Sequence, residues 1–235
     1  MMLWVPLVAL VRLFDRDPAR YVTGFVFRRL GMTMTRVNPA WRIHVEGETS
    51  VDPRYPYVVV CNHQSIADIP IISCLPWEMK WIAKAELLKM PILGWMMRWV
   101  GDIPVDRDSR SSGVRVLVAA RQYLRDRCSV IFFPEGTRSR DGRLFPFSDG
   151  AFRLAIKAQV PVLPLVLDGT HGALPKDSWK FGTVSVKLRV LAPVQTSGLR
   201  AGDAPVLREQ VRCAIAAELA AWRRVSPEQV LAEDG

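Results

Sequence analysis

A continuous apolar run, Tyr57-Val58-Val59-Val60-Cys61, lies between Pro56 and Asn62. Runs of this kind are typical of strands that are buried on both faces, as in parallel sheets covered by helices on each side. Further strand-like runs alternate with helical stretches, at residues 43–45, 80–83, 102–105, 130–133, 162–167 and 183–191. The pattern predicts an α/β fold with a mixed, mostly parallel central sheet flanked by helices.

Two longer segments have apolar side chains at helical spacing. Residues 111–127 place Leu117, Ala120 and Leu124 on one side, and residues 203–222 carry a similar stripe behind Asp203. We interpret both stripes as core faces and expect Asp203 to cap the second helix.

The N-terminal segment has a different character. Its first 11 residues are uncharged and mostly apolar, which is shorter than the about 20 residues that a membrane span requires. Residues 1–36 carry a local net charge of +4. We therefore predict an N-terminal interfacial helix pair that lies on anionic lipid. The alternative is that both segments simply pack on the domain core.

The expected organisation is a membrane-interface helical segment at 1–36, an α/β domain at 37–225 and a polar tail at 226–235 that frays. The net charge of +9 favours an anionic partner, which leaves nucleic acid, lipid headgroups or a phosphorylated substrate. Nucleic acid is not expected, because aromatic residues are not interleaved with the basic ones. The four cysteines are scattered without a Cys-x-x-Cys pair, so we expect neither a metal centre nor a disulfide framework, in a reducing cytoplasmic setting.

The segment Asn62-His63-Gln64-Ser65-Ile66-Ala67-Asp68 follows the most apolar run. A carboxylate that binds one imidazole nitrogen leaves the other nitrogen free to act as a base. Residues five apart on a helix lie roughly 140° apart, so His63 and Asp68 can meet only on a turn or at a helix start. No Gly-x-Ser-x-Gly elbow supplies a nucleophile, so the base would act on a substrate hydroxyl. The alternative is an ordinary loop in which Ser65 caps the next helix.

A second polar segment, Glu135-Gly136-Thr137-Arg138-Ser139, also follows a strand-like run. Gly136 permits close approach of the backbone, Thr137 offers a hydroxyl, and Arg138 can make paired bonds to an oxyanion. Taken alone, the segment is equally consistent with a turn that carries a solvated ion pair.

Together and in this order, the two segments resemble the glycerolipid acyltransferase family, whose best-known members are lysophosphatidic acid acyltransferases. The four sequence blocks of that family correspond to Asn62, His63, Ser65 and Asp68, to Gly101, Ile103, Asp106 and Arg107, to residues 133–139, and to residues 160–165. The similar segments extend from about Tyr57 to Leu167. Only the first and third blocks are highly specific.

The resemblance implies an enzyme of phospholipid biosynthesis. It would move a fatty acyl group from acyl-CoA or acyl carrier protein to the free glycerol hydroxyl of lysophosphatidic acid and release phosphatidic acid. His63 would be the base and Asp68 would hold its imidazole. No bound cofactor and no metal are expected.

The resemblance also implies how the substrates are bound. Arg138, with Gly136 and Thr137, would hold the acceptor phosphate, and Glu135 would orient Arg138 or an acceptor hydroxyl. Secondary candidates for substrate binding are Arg107, Lys84 and Ser65. Residues 87–99 would wall the acyl chain, unless they are ordinary core or membrane-facing surface.

The expected partners are a membrane phospholipid surface, a lysophospholipid acceptor and the acyl donor, with monotopic attachment at the cytoplasmic face of a bacterial inner membrane. Many relatives have Phe-Lys-x-Gly where this chain has Phe147-Ser148-Asp149-Gly150, which leaves the acceptor headgroup open. Alternatives are another lysophospholipid, a lyso-aminolipid or glycerol 3-phosphate. Two other classes also remain, a metal-dependent hydrolase and a non-catalytic basic module that binds lipid surfaces.

Overall fold

The structure is a computed structural model that describes residues 4–47, 51–106, 109–139, 141–173 and 182–232. Its centre is a seven-stranded sheet in the order β1-β7-β6-β2-β5-β3-β4. The strands are β1 Trp41–Gly47, β2 Val58–Cys61, β3 Met79–Lys84, β4 Ile103–Val105, β5 Ser129–Phe132, β6 Val162–Asp168 and β7 Val184–Val190. Neighbouring strands are parallel except β6 and β7, which are antiparallel. This confirms the predicted mixed, mostly parallel sheet.

Eight α-helices are present in the described part of the chain. They are α1 Trp4–Phe14, α2 Tyr21–Arg36, α3 Asp68–Ile72, α4 Leu93–Val100, α5 Arg110–Arg125, α6 Gly150–Ala158, α7 Ala204–Arg223 and α8 Pro227–Val230, with short 3-10 turns at Ala85–Lys89 and Ala201–Asp203. Alternate residues of a strand point to opposite faces of the sheet. Val58 and Val60 of β2 accordingly pack with α5, α6 and α7, whereas Val59 and Cys61 pack with α3 on the other face.

The most apolar run forms β2, which lies between β6 and β5 with all four residues buried. Burial on both faces explains why this strand is apolar at every position. The last strand, β7, alternates as predicted, because Val186 and Leu188 are buried while Ser185 is exposed.

Two sequence predictions are wrong, the capping bond from the Asp203 side chain and the fraying of the C-terminal tail. Asp203 precedes α7, yet its side chain makes no capping bond to that helix and instead accepts from the backbone N–H of Arg200 at 2.7 Å. The tail does not fray over residues 226–232, because it forms α8 and pairs with Leu144. Val230 accepts from Leu144 N at 2.8 Å and is buried. Backbone bonds to Leu144 and the burial of Val230 thus accompany the order of a segment that is polar by composition.

The two N-terminal helices pack against each other and against α4, and α2 also contacts α3 and β3. Phe27 and Leu30 of α2 are buried, so the core-packing alternative is correct for one face of α2. Among the described residues, α1 fully buries Val8 alone and leaves Leu13 77% and Phe14 76% exposed. No helix in the described ranges is long and apolar enough to cross a membrane.

The segment that was expected to wall an acyl chain divides between two environments. Leu88, Met96 and Met97 are buried in a cluster with Val8 and other residues of the N-terminal helices. In contrast, Met90 and Trp95 are about half exposed. The segment therefore joins the helix pair to the sheet, and its role toward an acyl chain stays a prediction.

Candidate active site

The structure brings His63 and Asp68 together at the end of β2. Residues 62–67 form a loop, and Asp68 is the first residue of α3, so the pair lies at a helix start as its spacing requires. His63 Nδ1 and Asp68 Oδ2 are 2.7 Å apart. Imidazole Nε2, on the far side of the ring, forms no hydrogen bond with any described residue and remains available to a substrate.

Asp68 is fully buried, and the loop backbone holds its carboxylate in place. Oδ2 accepts from Gln64 N at 2.8 Å and from Ser65 N at 3.0 Å, in addition to its contact with the imidazole. Ser65 is buried, and its hydroxyl accepts from Ala67 N at 3.3 Å within the same loop. Ala67 is the N-cap residue of α3, so Ser65 shapes the turn without capping the first turn of the helix itself.

The imidazole of His63 is also held from the neighbouring strand. Its ring stacks on Phe133, with the ring centroids 4.0 Å apart and the planes 19° from parallel. The carbonyl oxygen of His63 accepts from Ser139 N at 2.8 Å. Because β2 and β5 are adjacent and parallel, their following loops meet at the same edge of the sheet. The two motifs thus form one site.

Glu135 links these loops through backbone bonds. Its Oε1 accepts from His63 N at 2.6 Å, and its Oε2 accepts from Phe145 N at 2.9 Å. Burial raises the pKa of Glu135 to about 8, although the two N–H donors act in the opposite direction. Glu135 forms no ion pair with Arg138 in the described chain, and its expected role in orienting Arg138 or an acceptor hydroxyl stays a prediction.

Near pH 8, where the ionised carboxylate can accept through both oxygens, replacing Glu135 with glutamine should reduce kcat about tenfold, because one acceptor of the two N–H groups becomes a donor. The raised pKa of Glu135 means that its protonated form stabilises the fold below about pH 4.5, and that this contribution is lost as the pH rises through about 8. Glu135→Gln should therefore lose less stability between pH 5 and 8 than the parent protein. Kinetics and chemical unfolding across this range test both expectations, and a change confined to the KM of the acceptor would contradict the proposed backbone role.

The loop after Glu135 provides an open surface beside the histidine. Gly136 has a φ of +70°, a conformation that favours glycine, and nothing lies within 4 Å of where its Cβ would be. Thr137 is exposed, and Arg138 is partly exposed without an ion pair to any described residue. A backbone turn, a hydroxyl and an uncompensated cation therefore face solvent together.

The two remaining predicted anion-binding residues are Lys84 and Arg107, and Lys84 does not lie next to His63 in the structure. Lys84 is exposed at the end of β3, which β5 separates from β2, and it pairs with Glu86 at 3.6 Å. Arg107 lies outside the described residues. His44 is exposed on the edge strand β1, and the described residues contain no cluster of three or more His, Cys, Asp or Glu side chains that could hold a metal.

Sequence reasoning missed a set of residues that supports the histidine loop from β6. The Asn62 side chain donates to Leu167 O at 2.8 Å and accepts from Leu167 N at 2.9 Å. Gln64 Nε2 donates to Asp168 at 3.1 Å. Asp168 in turn accepts from Arg223 Nε at 3.0 Å and from Arg223 Nη2 at 2.6 Å. Burial opposes ionisation of Asp168, but bonds from Arg223 hold the pKa of that carboxyl below its usual range.

The model of the acyltransferase family matches residues 42–168, which is more than half of the 235-residue chain. The chain belongs to the acyltransferase family. The match covers β1 to β6 and includes both loops of the candidate site.

Several relatives within the acyltransferase family are similar over most of this chain. The human protein named 1-acyl-sn-glycerol-3-phosphate acyltransferase alpha is 36% identical over 189 residues, which are 80% of this chain and 66% of that protein. The chloroplastic Arabidopsis thaliana protein named 1-acyl-sn-glycerol-3-phosphate acyltransferase LPAT1 is 41% identical over 163 residues, 69% of this chain and 46% of that protein. The chain thus spans about two thirds or less of the length of these relatives.

A solved structure within the family resembles nearly the whole chain. The crystal structure of the 1-acyl-sn-glycerophosphate (LPA) acyltransferase PlsC from Thermotoga maritima superposes with a TM-score of 0.74 at 29% identity. The similarity covers 94% of each chain, so it extends beyond the matched family domain on both sides.

Proposed function

We propose that this protein transfers a fatty acyl group from acyl-CoA or acyl carrier protein to the free hydroxyl of lysophosphatidic acid and so forms phosphatidic acid. The observation that carries the proposal is the contact between His63 Nδ1 and Asp68 Oδ2 beside the open loop at Gly136. The activities for which the human, plant and Thermotoga maritima relatives are named support the same reaction.

The geometry supports a direct transfer. Asp68 accepts a hydrogen bond from Nδ1–H of His63 and thereby presents Nε2 as a base toward the substrate hydroxyl. Nε2 takes the hydroxyl proton while the oxygen attacks the thioester carbonyl. Collapse of the tetrahedral intermediate breaks the carbon–sulfur bond, and the departing thiolate takes the proton from the imidazolium. The acceptor supplies the nucleophile, so no acyl-enzyme is formed.

The loop from Gly136 to Arg138 would bind the acceptor phosphate. Asp149 does not oppose this role, although it stands near the position where many relatives have a lysine. Its carboxylate pairs with Arg153 at 3.2 Å and with Arg208 at 2.8 Å, on α6 and α7. The anion is thus largely compensated before a phosphate arrives.

Arg138→Ala should raise the KM for lysophosphatidic acid about 10- to 100-fold with a smaller effect on kcat, because charge-assisted bonds contribute about 1.5–3 kcal/mol. Steady-state kinetics with a fixed acyl donor measure this. The neighbouring substitution Arg143→Ala, on an exposed arginine that already pairs with Asp141, is the control. An equal loss with a neutral monoacylglycerol acceptor would contradict the phosphate contact.

The proposed reaction also requires access to a lipid in a bilayer. Leu10, Leu13 and Phe14 form an exposed apolar strip on α1, and Trp95 of α4 is exposed nearby in the adjoining helix layer. Arg12 and Arg16 flank this strip. Apolar side chains beside arginines favour attachment at the interface of an anionic membrane. Attachment at the cytoplasmic face of a bacterial inner membrane stays a prediction.

Leu13→Ser combined with Phe14→Ser should weaken binding to vesicles that contain phosphatidylglycerol by at least about tenfold, since each side chain contributes up to roughly 1.5–3 kcal/mol when buried. Vesicle cosedimentation provides the measurement. Val206→Ser, on an equally exposed residue of α7, is the matched control. Equal binding by the double variant and the control would reject α1 as the attachment surface.

An acceptor panel tests the central proposal. Purified protein is given acyl-CoA or acyl carrier protein with lysophosphatidic acid, other lysophospholipids, a lyso-aminolipid or glycerol 3-phosphate, and the lipid products are identified by mass spectrometry. We expect the highest kcat/KM with lysophosphatidic acid. Preference for another acceptor would keep the chemistry and overturn the substrate, whereas transfer to none of them would overturn the chemistry.

A further inference from the structure

A groove of about 1010 Å³ lies between α5 and α6 and is also lined by residues 199–201. It belongs to the helix layer opposite α3, since α5 and α6 pack on one face of the sheet and α3 packs on the other. None of the residues that form the candidate active site lines it. The groove is therefore a separate feature of the surface.

The floor of the groove is apolar. Leu154 and Ile156 are buried at its base, while Val114 and Val118 stand 62% and 66% exposed along its α5 side. Positions 114 and 118 are one helical turn apart, so these two side chains form a continuous apolar ridge. An exposed apolar strip within a concave surface is typical of a binding site for another molecule.

The rim of the groove is basic. Its cations are Arg121, Arg125, Arg153, Lys157 and Arg200. In the described part of the chain, only Arg153 of this set forms an ion pair, with Asp149. The other four charges are uncompensated at the border of an apolar floor, so the groove favours a ligand that is both apolar and anionic.

We infer that this α5–α6 groove docks an acidic amphipathic helix of a partner protein. The α5 side from Val114 to Arg125 extends for about 16 Å, or three helical turns. A helix of three to four turns laid along it could place apolar side chains on the floor and carboxylates against both rims, which is the helix-in-groove mode of recognition. The inference is independent of the acyl transfer reaction.

Charge and shape argue against other occupants. A second copy of this chain carries a net charge of +9 and would meet the rim with like charge. A bilayer is a flat surface, whereas this groove is concave. The groove also lies on the face of the sheet opposite α3, and α3 is the helix that α2 of the N-terminal pair contacts. An acidic helix satisfies both the rim and the floor.

The probe is a pair of labelled synthetic peptides of 18 residues that share one leucine pattern, one with glutamate and one with lysine on the polar face. Fluorescence anisotropy with the full-length protein should show at least about tenfold tighter binding of the acidic peptide, and this preference should shrink as salt rises from 50 to 300 mM. Hydrogen exchange of the complex should show new protection in α5 and α6.

Two variants test the location. Arg121→Glu with Arg125→Glu should weaken acidic-peptide binding at least about tenfold, and the charge-matched control is Arg42→Glu with Arg224→Glu, at exposed sites away from the groove. Val118→Asp should act in the same direction, while Val206→Asp on α7 should not.

Equal binding of both peptides, equal loss in the groove variants and their controls, or exchange protection elsewhere would overturn the inference. Loss of binding to anionic vesicles in the groove variants, without loss of peptide binding, would assign the groove to lipid instead. Concentration-dependent dimers that disappear in Arg121→Glu with Arg125→Glu would assign it to a second copy.

Discussion

His63→Ala is expected to reduce kcat/KM for acyl transfer about 1,000-fold, the middle of the range for removal of a general base. The reason is that, in the proposed mechanism, Nε2 of His63 is the base that takes the proton of the acceptor hydroxyl. Residual activity should come from binding of the two substrates next to each other. Product formation from acyl donor and lysophosphatidic acid, measured over hours at high enzyme concentration, gives the comparison.

Asp68→Asn should lower kcat/KM for acyl transfer about 100-fold, because the amide can present a donor where the imidazole and two backbone N–H groups need an acceptor. His44→Ala is the matched control, since it removes an exposed histidine on the edge strand β1. Far-ultraviolet circular dichroism separates loss of chemistry from loss of fold. Full activity of folded His63→Ala would overturn the mechanism.

Glu78→Gln should lower the free energy of unfolding by about 3–5 kcal/mol, the loss expected when one partner of a buried ion pair is removed. Glu78 and Lys80 are fully buried, and Glu78 Oε1 lies 3.0 Å from Lys80 Nζ. Arg28 of α2 pairs with both Glu78 and Asp102. Burial acts to lower the pKa of Lys80, but nearby acidic groups, the Glu78 carboxylate foremost, together outweigh this effect, and the pKa of Lys80 is raised. Neutralising Glu78 therefore leaves two buried cations with one carboxylate.

Urea unfolding monitored by tryptophan fluorescence, in one fixed detergent, measures this loss. Glu86→Gln is the control, because Glu86 is exposed and makes only a long surface pair with Lys84. Adding Lys80→Met to Glu78→Gln should recover part of the stability, since it removes one of the cations left unpaired. A double variant that is less stable by the sum of both single losses would show that the two side chains do not form a coupled pair.

This charge network also explains a constraint on α2. A Cβ at Gly24 would overlap the Glu78 carboxylate, so glycine lets the helix approach the buried charges. The helix that carries Arg28 is therefore held against β3 by charge as well as by Phe27 and Leu30. We interpret the network as the connection that sets the position of the N-terminal helices relative to the active site.

Local patterns in the sequence were enough to predict the strands and the nature of the sheet. Buried parallel strands require apolar residues at successive positions, and Val58 to Cys61 show this directly. The geometry of His63 and Asp68 was also accessible, because five residues of chain limit the conformations in which the two side chains can meet. Helix ends were less accessible, and the error at Asp203 arose because a local turn took the carboxylate that could have capped α7.

The sequence by itself determined the α/β class, the two motif loops and the chemistry that their side chains can perform. Only the tertiary structure decided that Glu135 binds the backbone of His63, that Asp168 joins Gln64 to Arg223, and that Arg28 pairs with buried carboxylates. These contacts join residues that are 72, 104, 55 and 74 positions apart. No local periodicity constrains such pairs, because they form only when the strand order brings distant loops and helices together.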